Sequence, residues 1–351
     1  MHIHLIRTRY PHWGGNSGIH QFVRYIDQNK YDIDTWVASD SDEDFPLQHS
    51  GLRDVLRHAV QMRGIQWYKL SDLTAEYKAL QKCWKQQVDI VHYLDGEHSP
   101  QFLPRLLKLL GKKRPKVIAT FHQPPELLDS LLDRSVIPLL DFVTVVSPAQ
   151  VAYFSNLIGA DKVSSILHGI DTAYFHPGDE SKEDKFKCIT VGKYLRDFVA
   201  LRAVAEALSG REDIEFHVVS SNADEVKDLE NVTIHQGIDD ASLLKLYQQS
   251  NLLFLPLTQS TANNALLEGI ACGLPVISTD LPSVKAYLPG KEAILVQNND
   301  PKQLTNAILE LADNPVDCKV MGAEARRRAR ELDWKNITSQ YEALYSQVMS
   351  S

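Results

Sequence analysis

The chain has 351 residues, 44% hydrophobic and 23% charged, with a net charge of −8, an ordinary composition for a soluble globular protein long enough for two domains with full cores. The charge is uneven: residues 1–165 hold 19 Lys+Arg against 18 Asp+Glu and the remainder 18 against 27, a balance that argues against nucleic acid as a partner. No run approaches the roughly 18 apolar residues of a membrane span, MHIHLIRTRY lacks the apolar core of a signal peptide, and Cys83, Cys188, Cys272 and Cys318 form no C-x-x-C pair, so buried thiols and a cytoplasmic address are expected.

Short strands rich in Val and Ile alternate with helical segments. His2–Arg7 is the first strand, followed by a Gly-rich loop and a helix from about Ser17 to Gln28. Strands Ile33–Ala38, Asp89–Tyr93, Lys116–Phe121, Asp141–Val146 and Val163–Leu167 follow, with helices at Ser71–Gln87, Pro100–Leu110 and Pro148–Leu157. Residues 168–185, rich in charge, Gly and Pro, read as a linker. A second series runs through Phe186–Val191, Ile214–Val219, Val232–Ile234, Leu252–Leu255, Pro275–Ser278 and Ala293–Val296, and ends in a helix from about Trp334 to Val348. The pattern predicts an α/β protein of two doubly wound parallel-sheet domains, 1–167 and 168–333, with a cleft between them; the helix 334–350 could pack back on the first.

The most informative segment is Leu255 to Thr279, LPLTQSTANNALLEGIACGLPVIST. It reads as buried strand, polar loop, short helix, glycine stop and second strand. Ser260, Thr261, Asn263 and Asn264 ring a helix start, whose exposed N–H groups suit a phosphate. Glu268 lies on the same helix face as Asn264, four residues on, and could accept from the vicinal hydroxyls of a ribose. After the first strand, Gly14 and Gly15 would let backbone approach a ligand, although G-x-G-x-x-G is absent and a plain tight turn remains open. Lys193 and Arg196 follow the first strand of the second series, where doubly wound sheets bind ligands, and either could neutralise a diphosphate. His122 ends a first-domain strand and could hydrogen-bond a substrate hydroxyl or move a proton; a structural histidine is the alternative.

Three further stretches have plainer readings. His92–His98 reads as a polar loop rather than a metal cluster. Asp40–Asp44 holds a D-x-D pair but reads as a solvated acidic loop. Arg105–Arg114 reads as a helix burying its leucines before a basic turn, with peripheral contact to an anionic membrane at its inner face as the alternative.

Together these residues resemble the retaining GT-B glycosyltransferases of glycosyltransferase family 4. The likeness covers nearly the whole chain and is strongest from Ser260 to Thr279, which is similar to the family's E-x7-E region and the A-x-G-x-P-V-I/V segment after it. His168-Gly169-Ile170-Asp171 to Phe175-His176-Pro177, similar to the N-G-V-D…F-x-P connector, and the Trp334 helix add to it. The resemblance implies that Glu268 binds the donor ribose. It implies that Lys193 matches the diphosphate-binding Arg, that Gly15 lets donor phosphate approach, and that His122 is the histidine near acceptor and donor sugar. The sequence departs from the pattern twice: Ser260 stands where the first Glu is usual, and Phe198 where a Lys is usual. Arg196 is then the residue to take the Lys role, and donor-sugar choice falls to hydrogen bonds from Thr261, Asn263 and Asn264, with Ser260 kept among the donor-binding residues.

The implied reaction moves a sugar from a UDP- or GDP-sugar to an acceptor hydroxyl with retained configuration. Lys193 and Arg196 would stabilise the leaving diphosphate, with His122 orienting a hydroxyl and no cofactor or metal required. The acceptor implied is a saccharide or a lipid-linked glycan, as in polysaccharide or glycolipid synthesis. A nucleotide-sugar-binding protein without turnover and a sugar-nucleotide epimerase of the same fold are the alternatives.

Overall fold

The structure is a computed structural model that describes residues 1–9, 15–39, 42, 45–47, 49–61, 67–178 and 185–350. Its contacts divide the chain into two compact units. The first comprises Met1–Trp13, Phe22–Leu167 and Ile337–Ser351; the second comprises Gly14–Gln21 and His168–Asn336.

In the first unit, strands β1 (His2–Arg9), β2 (Asp32–Ser39), β3 (Ile90–Tyr93), β4 (Lys116–Phe121), β5 (Phe142–Val145) and β6 (Val163–Ser165) form one sheet in the order β2-β1-β3-β4-β5-β6. Every pairing is parallel. Helices α1 (Ser50–Gln61), α2 (Leu70–Trp84), α3 (Leu103–Leu107), α4 (Pro125–Leu131) and α5 (Val151–Ile158) connect them. β3, β4 and β5 are buried almost throughout, as parallel strands covered on both faces must be. Ala75, Ala79 and Cys83 of α2 pack with Val91, Tyr93, Val117 and Val143 in the core.

In the second unit, β7 (Phe186–Val191), β8 (Ile214–Val219), β9 (Val232–His235), β10 (Leu252–Leu255), β11 (Val276–Thr279) and β12 (Ala293–Val296) form a second all-parallel sheet, ordered β12-β11-β10-β7-β8-β9. Its helices are α6 (Phe198–Ala207), α7 (Asp240–Gln249), α8 (Asn264–Ala271), α9 (Pro282–Tyr287), α10 (Pro301–Asp313), α11 (Pro315–Glu331) and the start of α12 (Trp334–Ser350). Local chemistry sets their starts. Asp300 and Asn314 cap α10 and α11, accepting from the Gln303 and Asp317 amides at 2.8 and 3.3 Å, each with a proline at the first helical position.

All twelve expected strands form, and the α/β class with two doubly wound sheets is the observed fold. Several local expectations need correction. The helix expected from Ser17 is a 3₁₀ segment, Ile19–Arg24. The helix expected over Pro100–Leu110 is the short α3, followed by a 3₁₀ turn kinked at Gly111, whose φ is 59°. α1 has no counterpart among the expected helices and buries none of its residues. Residues 168–178 are packed rather than loose: the Arg326 guanidinium donates to the carbonyls of Thr172, Phe175 and Ala271, and Ile170 bridges to Asp333. Residues 179–184 of the expected linker lie outside the described residues. The cysteines are free, with Cys83, Cys188 and Cys272 buried.

Candidate functional site

Read from β9 inward, the second sheet has the strand order 3-2-1-4-5-6, which reverses direction between β7 and β10. Ligands of such sheets bind beyond the carboxyl ends of the strands at this reversal. The two loops leaving β7 and β10 meet there. Arg196 pairs with Leu257 in an isolated antiparallel bridge, the Asp197 amide donates to the Pro256 carbonyl at 3.0 Å, and the Thr258 amide donates to the Leu195 carbonyl at 3.0 Å.

The first loop depends on a left-handed turn. Gly192 has φ 91°, and a Cβ there would lie 2.9 Å from the Arg196 guanidinium. That guanidinium donates to the carbonyls of Val191 and Tyr194 at 2.8 and 3.0 Å and to Asn263 Oδ1 at 3.1 Å. Burial lowers the Arg196 pKa to about 10, still well above neutrality. Arg196 therefore carries a positive charge held by protein acceptors, whereas Lys193 is exposed on the same loop. Phe198 is the first residue of α6 and packs on the core of the unit.

The second loop ends at Asn263, the cap of α8, whose Oδ1 also accepts from the Leu266 amide at 3.3 Å. Thr261 and Asn263 are buried and Asn264 opens the helix. The Ser260 hydroxyl is buried and has no hydrogen-bond partner among the described residues. One turn on, Glu268 is buried, and both its oxygens face hydroxyls: Oε1 accepts from Ser17 Oγ at 2.5 Å and Oε2 from Tyr247 OH at 2.9 Å. Burial raises the Glu268 pKa, and the two hydroxyls oppose that shift. Gly269 sets the helix height: a Cβ there would lie 2.7 Å from Leu253 Cδ2 on β10. The glycine loop joins this site through Asp240 on α7, whose Oδ2 accepts from the Gly15 amide at 2.8 Å and the Asn16 side chain at 3.2 Å. Gly14 lies outside the described residues.

In the first unit, His122 leaves the end of β4 beside Glu97. Glu97 Oε1 accepts from the main-chain amides of His122 and Gln123, the latter at 2.7 Å, and Oε2 lies 3.7 Å from His122 Nδ1. Burial alone would lower the His122 pKa, but the Glu97 carboxylate outweighs it and the net shift is upward. The other members of the polar stretch 92–98 are bound within the protein. His92 lies between the Tyr345 and Thr120 hydroxyls at 2.8 and 2.7 Å, Asp95 accepts from the Thr8 amide at 2.7 Å, and His98 Nε2 lies 3.4 Å from Thr8 Oγ1.

Sequence reasoning missed Tyr247, Asp240 and Glu97 as site residues. Of these, only Glu97 falls in a stretch that the sequence marks out, the polar loop 92–98. Two plainer readings also change. Asp42 is not solvated: it is buried against Arg57, with the ion pair at 2.6 Å. The rest of that acidic run, Asp40, Ser41, Glu43 and Asp44, lies outside the described residues. In the basic stretch, Arg105 pairs with Asp133 at 2.8 Å and Arg114 with Asp141 at 2.6 Å, Leu103 and Leu107 are buried, and Leu106 and Leu109 are exposed.

Two doubly wound parallel sheets, the second with the loops after β7 and β10 gathered at the strand-order reversal, define a protein of the GT-B class. Residues 14–174 match the family model "Glycosyltransferase Family 4" and residues 187–314 match "Glycosyl transferases group 1". The chain belongs to the GT-B glycosyltransferases of the family 4 type. Among curated proteins it is 22% identical over 245 residues to D-inositol 3-phosphate glycosyltransferase 1 of Catenulispora acidiphila, covering 61% of this chain and 59% of that one. It is 23% identical over 257 residues to D-inositol 3-phosphate glycosyltransferase of Corynebacterium urealyticum, covering 64% and 60%. The matched part thus spans about three fifths of those relatives. Among solved structures, sucrose-phosphate synthase from Thermosynechococcus elongatus aligns over 99% of both chains with TM-score 0.72 and 16% identity. Anabaena HepE in complex with UDP aligns over 99% of this chain and 100% of that one, with TM-score 0.69 and 12% identity. No helix among the described residues is long and apolar enough to cross a membrane.

Proposed function

We propose that the protein is a retaining glycosyltransferase that moves a sugar from a nucleoside-diphosphate-sugar to an acceptor hydroxyl. Glu268 carries the reading. A buried carboxylate at the sheet's switch point, already accepting from two hydroxyls, has the chemistry to hold the vicinal hydroxyls of a ribose. The α8 start, capped by Asn263 and flanked by the Arg196 charge and exposed Lys193, offers positive potential to the diphosphate. The UDP bound by HepE, and UDP-glucose in a further complex of that protein, support a UDP-sugar as the first donor to test.

As the bond to the sugar breaks, negative charge builds on the diphosphate, and Lys193, Arg196 and the α8 start stabilise it. The acceptor attacks from the face of departure, and a diphosphate oxygen takes its proton. His122 donates a hydrogen bond to a sugar hydroxyl. The Ser260 hydroxyl, without a partner among the described residues, is available to the donor sugar together with Thr261, Asn263 and Asn264. Protein cations perform the charge stabilisation, so turnover is expected to persist in a chelator. The acceptor class we propose is a saccharide or lipid-linked glycan.

A panel of UDP- and GDP-sugars, read by mass spectrometry for binding, slow hydrolysis and transfer, tests this reading. Tight binding of one donor with no turnover across a wide acceptor panel would support the second reading, a binding protein. The commitment of the Arg196 guanidinium to three protein acceptors is the observation that favours it.

A further inference from the structure

Glu97 is a buried carboxylate with a specific geometric task. It reaches the end of β4 because the loop after β3 runs tightly against that strand. The Gly96 amide donates to the Thr120 carbonyl at 2.8 Å, and a Cβ on Gly96 would lie 2.8 Å from that oxygen and 2.9 Å from the Phe121 ring. One oxygen of Glu97 then gathers two successive amides, of His122 and Gln123, and the other faces His122 Nδ1 at 3.7 Å. Main chain and ring of His122 are thus set by the same carboxylate, while about a fifth of the His122 side chain stays exposed.

We infer that Glu97 is the positioning residue for His122: it fixes the orientation of the imidazole, keeps a proton on Nδ1, and so makes the ring a hydrogen-bond donor to a sugar hydroxyl rather than a base. A carboxylate on one ring nitrogen selects the tautomer and favours the imidazolium. The other charged neighbour is Asp95, which also favours the protonated ring; His92 faces His122 too, and His98 interacts with both Asp95 and Glu97. His92 stays neutral between its two hydroxyl partners, its pKa pushed down to about 3 by burial and by His122. Glu97 and Asp95 therefore decide the balance. Consistently, although burial would raise the Glu97 pKa, its contacts with His122 lower it.

The role in transfer rests on the proposed function; the hold on the ring does not. The test uses Glu97→Gln, which keeps an oxygen for the two amides but removes the charge. In wild-type protein labelled at histidine, with His122→Gln to assign the resonance, the His122 ring should titrate above the ordinary imidazole value of 6.5. In Glu97→Gln it should titrate at lower pH, and the alkaline limb of kcat/KM should move down with it, with both proteins shown by far-UV circular dichroism to be folded across the pH range used. A ring that titrates below 6.5 in the wild type, or identically in both proteins, would overturn the inference. A ring that moves while the kcat/KM profile stays put would uphold the Glu97 pairing and sink the part assigned to His122 in transfer.

Discussion

At the scale of single residues, the account rests on Glu268, His122 and their partners. Replacing Glu268 by Ala should weaken nucleotide binding by roughly 10- to 100-fold, the loss of one or two hydrogen bonds to a charged acceptor. Calorimetric titration with the nucleoside diphosphate measures this, and unchanged affinity would refute the ribose assignment. His92 gives a pH prediction with a definite sign. Its folded pKa is depressed to about 3 by burial, so below the ordinary value of 6.5 the unfolded chain binds a proton that the folded chain refuses. Stability should fall by about 1.4 kcal/mol per pH unit from this group as pH drops below 6.5. The Glu97–His122 pair acts differently. The raised His122 pKa stabilises below 6.5 and the lowered Glu97 pKa stabilises above 4.5, so the pair contributes fully between those values. Denaturant midpoints from pH 7 to 4.5 should therefore fall in the wild type and fall less steeply in His92→Gln, where His4, its pKa pushed down to about 4 by burial, still contributes with the same sign. Residues close in sequence were legible at this scale. Asn263, Asn264 and Glu268 lie within one turn and a half of helix, so their spacing alone placed them together. Tyr247 and Ser17 were not, because they reach Glu268 across 21 and 251 residues, through packing that no local pattern records.

At the scale of elements, position follows from close approach. α8 sits low on β10 because Gly269 has no side chain against Leu253. Gly269→Ala must lift the helix or push Leu253 aside, at about 1–3 kcal/mol. The displacement should also weaken donor binding, since Glu268 is the preceding residue; thermal melts and titration of one variant would show both losses. In the first unit, Glu76 of α2 ties α2 to the start of α3. Its carboxylate accepts from the Gln101, Phe102 and Leu103 amides at 2.9, 2.8 and 3.1 Å, and from the Tyr68 and Tyr93 hydroxyls at 2.7 and 2.9 Å. Glu76→Ala should cost about 3 kcal/mol or more by stranding these buried donors, visible as a lower urea midpoint. The strands were legible because their Val- and Ile-rich runs are bounded by turn residues. The 3₁₀ segment Ile19–Arg24 and the shortened α3 were not, because apolar periodicity does not separate a 3₁₀ turn from an α-helix.

At the scale of the whole molecule, the alternation of strands and helices announced two parallel sheets, and both formed with six strands each. The sheet order that marks the switch point was not readable from that alternation, since it depends on which strands pair rather than where they lie in the chain. It is this order that brings the Gly192–Asp197 and Pro256–Asn263 loops together, so the site follows from topology as much as from its residues. The account also implies that the protein supplies the charge stabilisation, and transfer measured with and without a chelator should give equal rates. The most direct measurement of the central claim is transfer itself. Purified protein is incubated with UDP-glucose, then other UDP- and GDP-sugars, and a panel of saccharide and lipid-linked acceptors, and products are identified by mass and anomeric configuration. The account predicts a glycosylated acceptor with retained configuration, formed by the wild type and lost in Glu268→Ala. An inverted product, or equal product from both proteins, would contradict it.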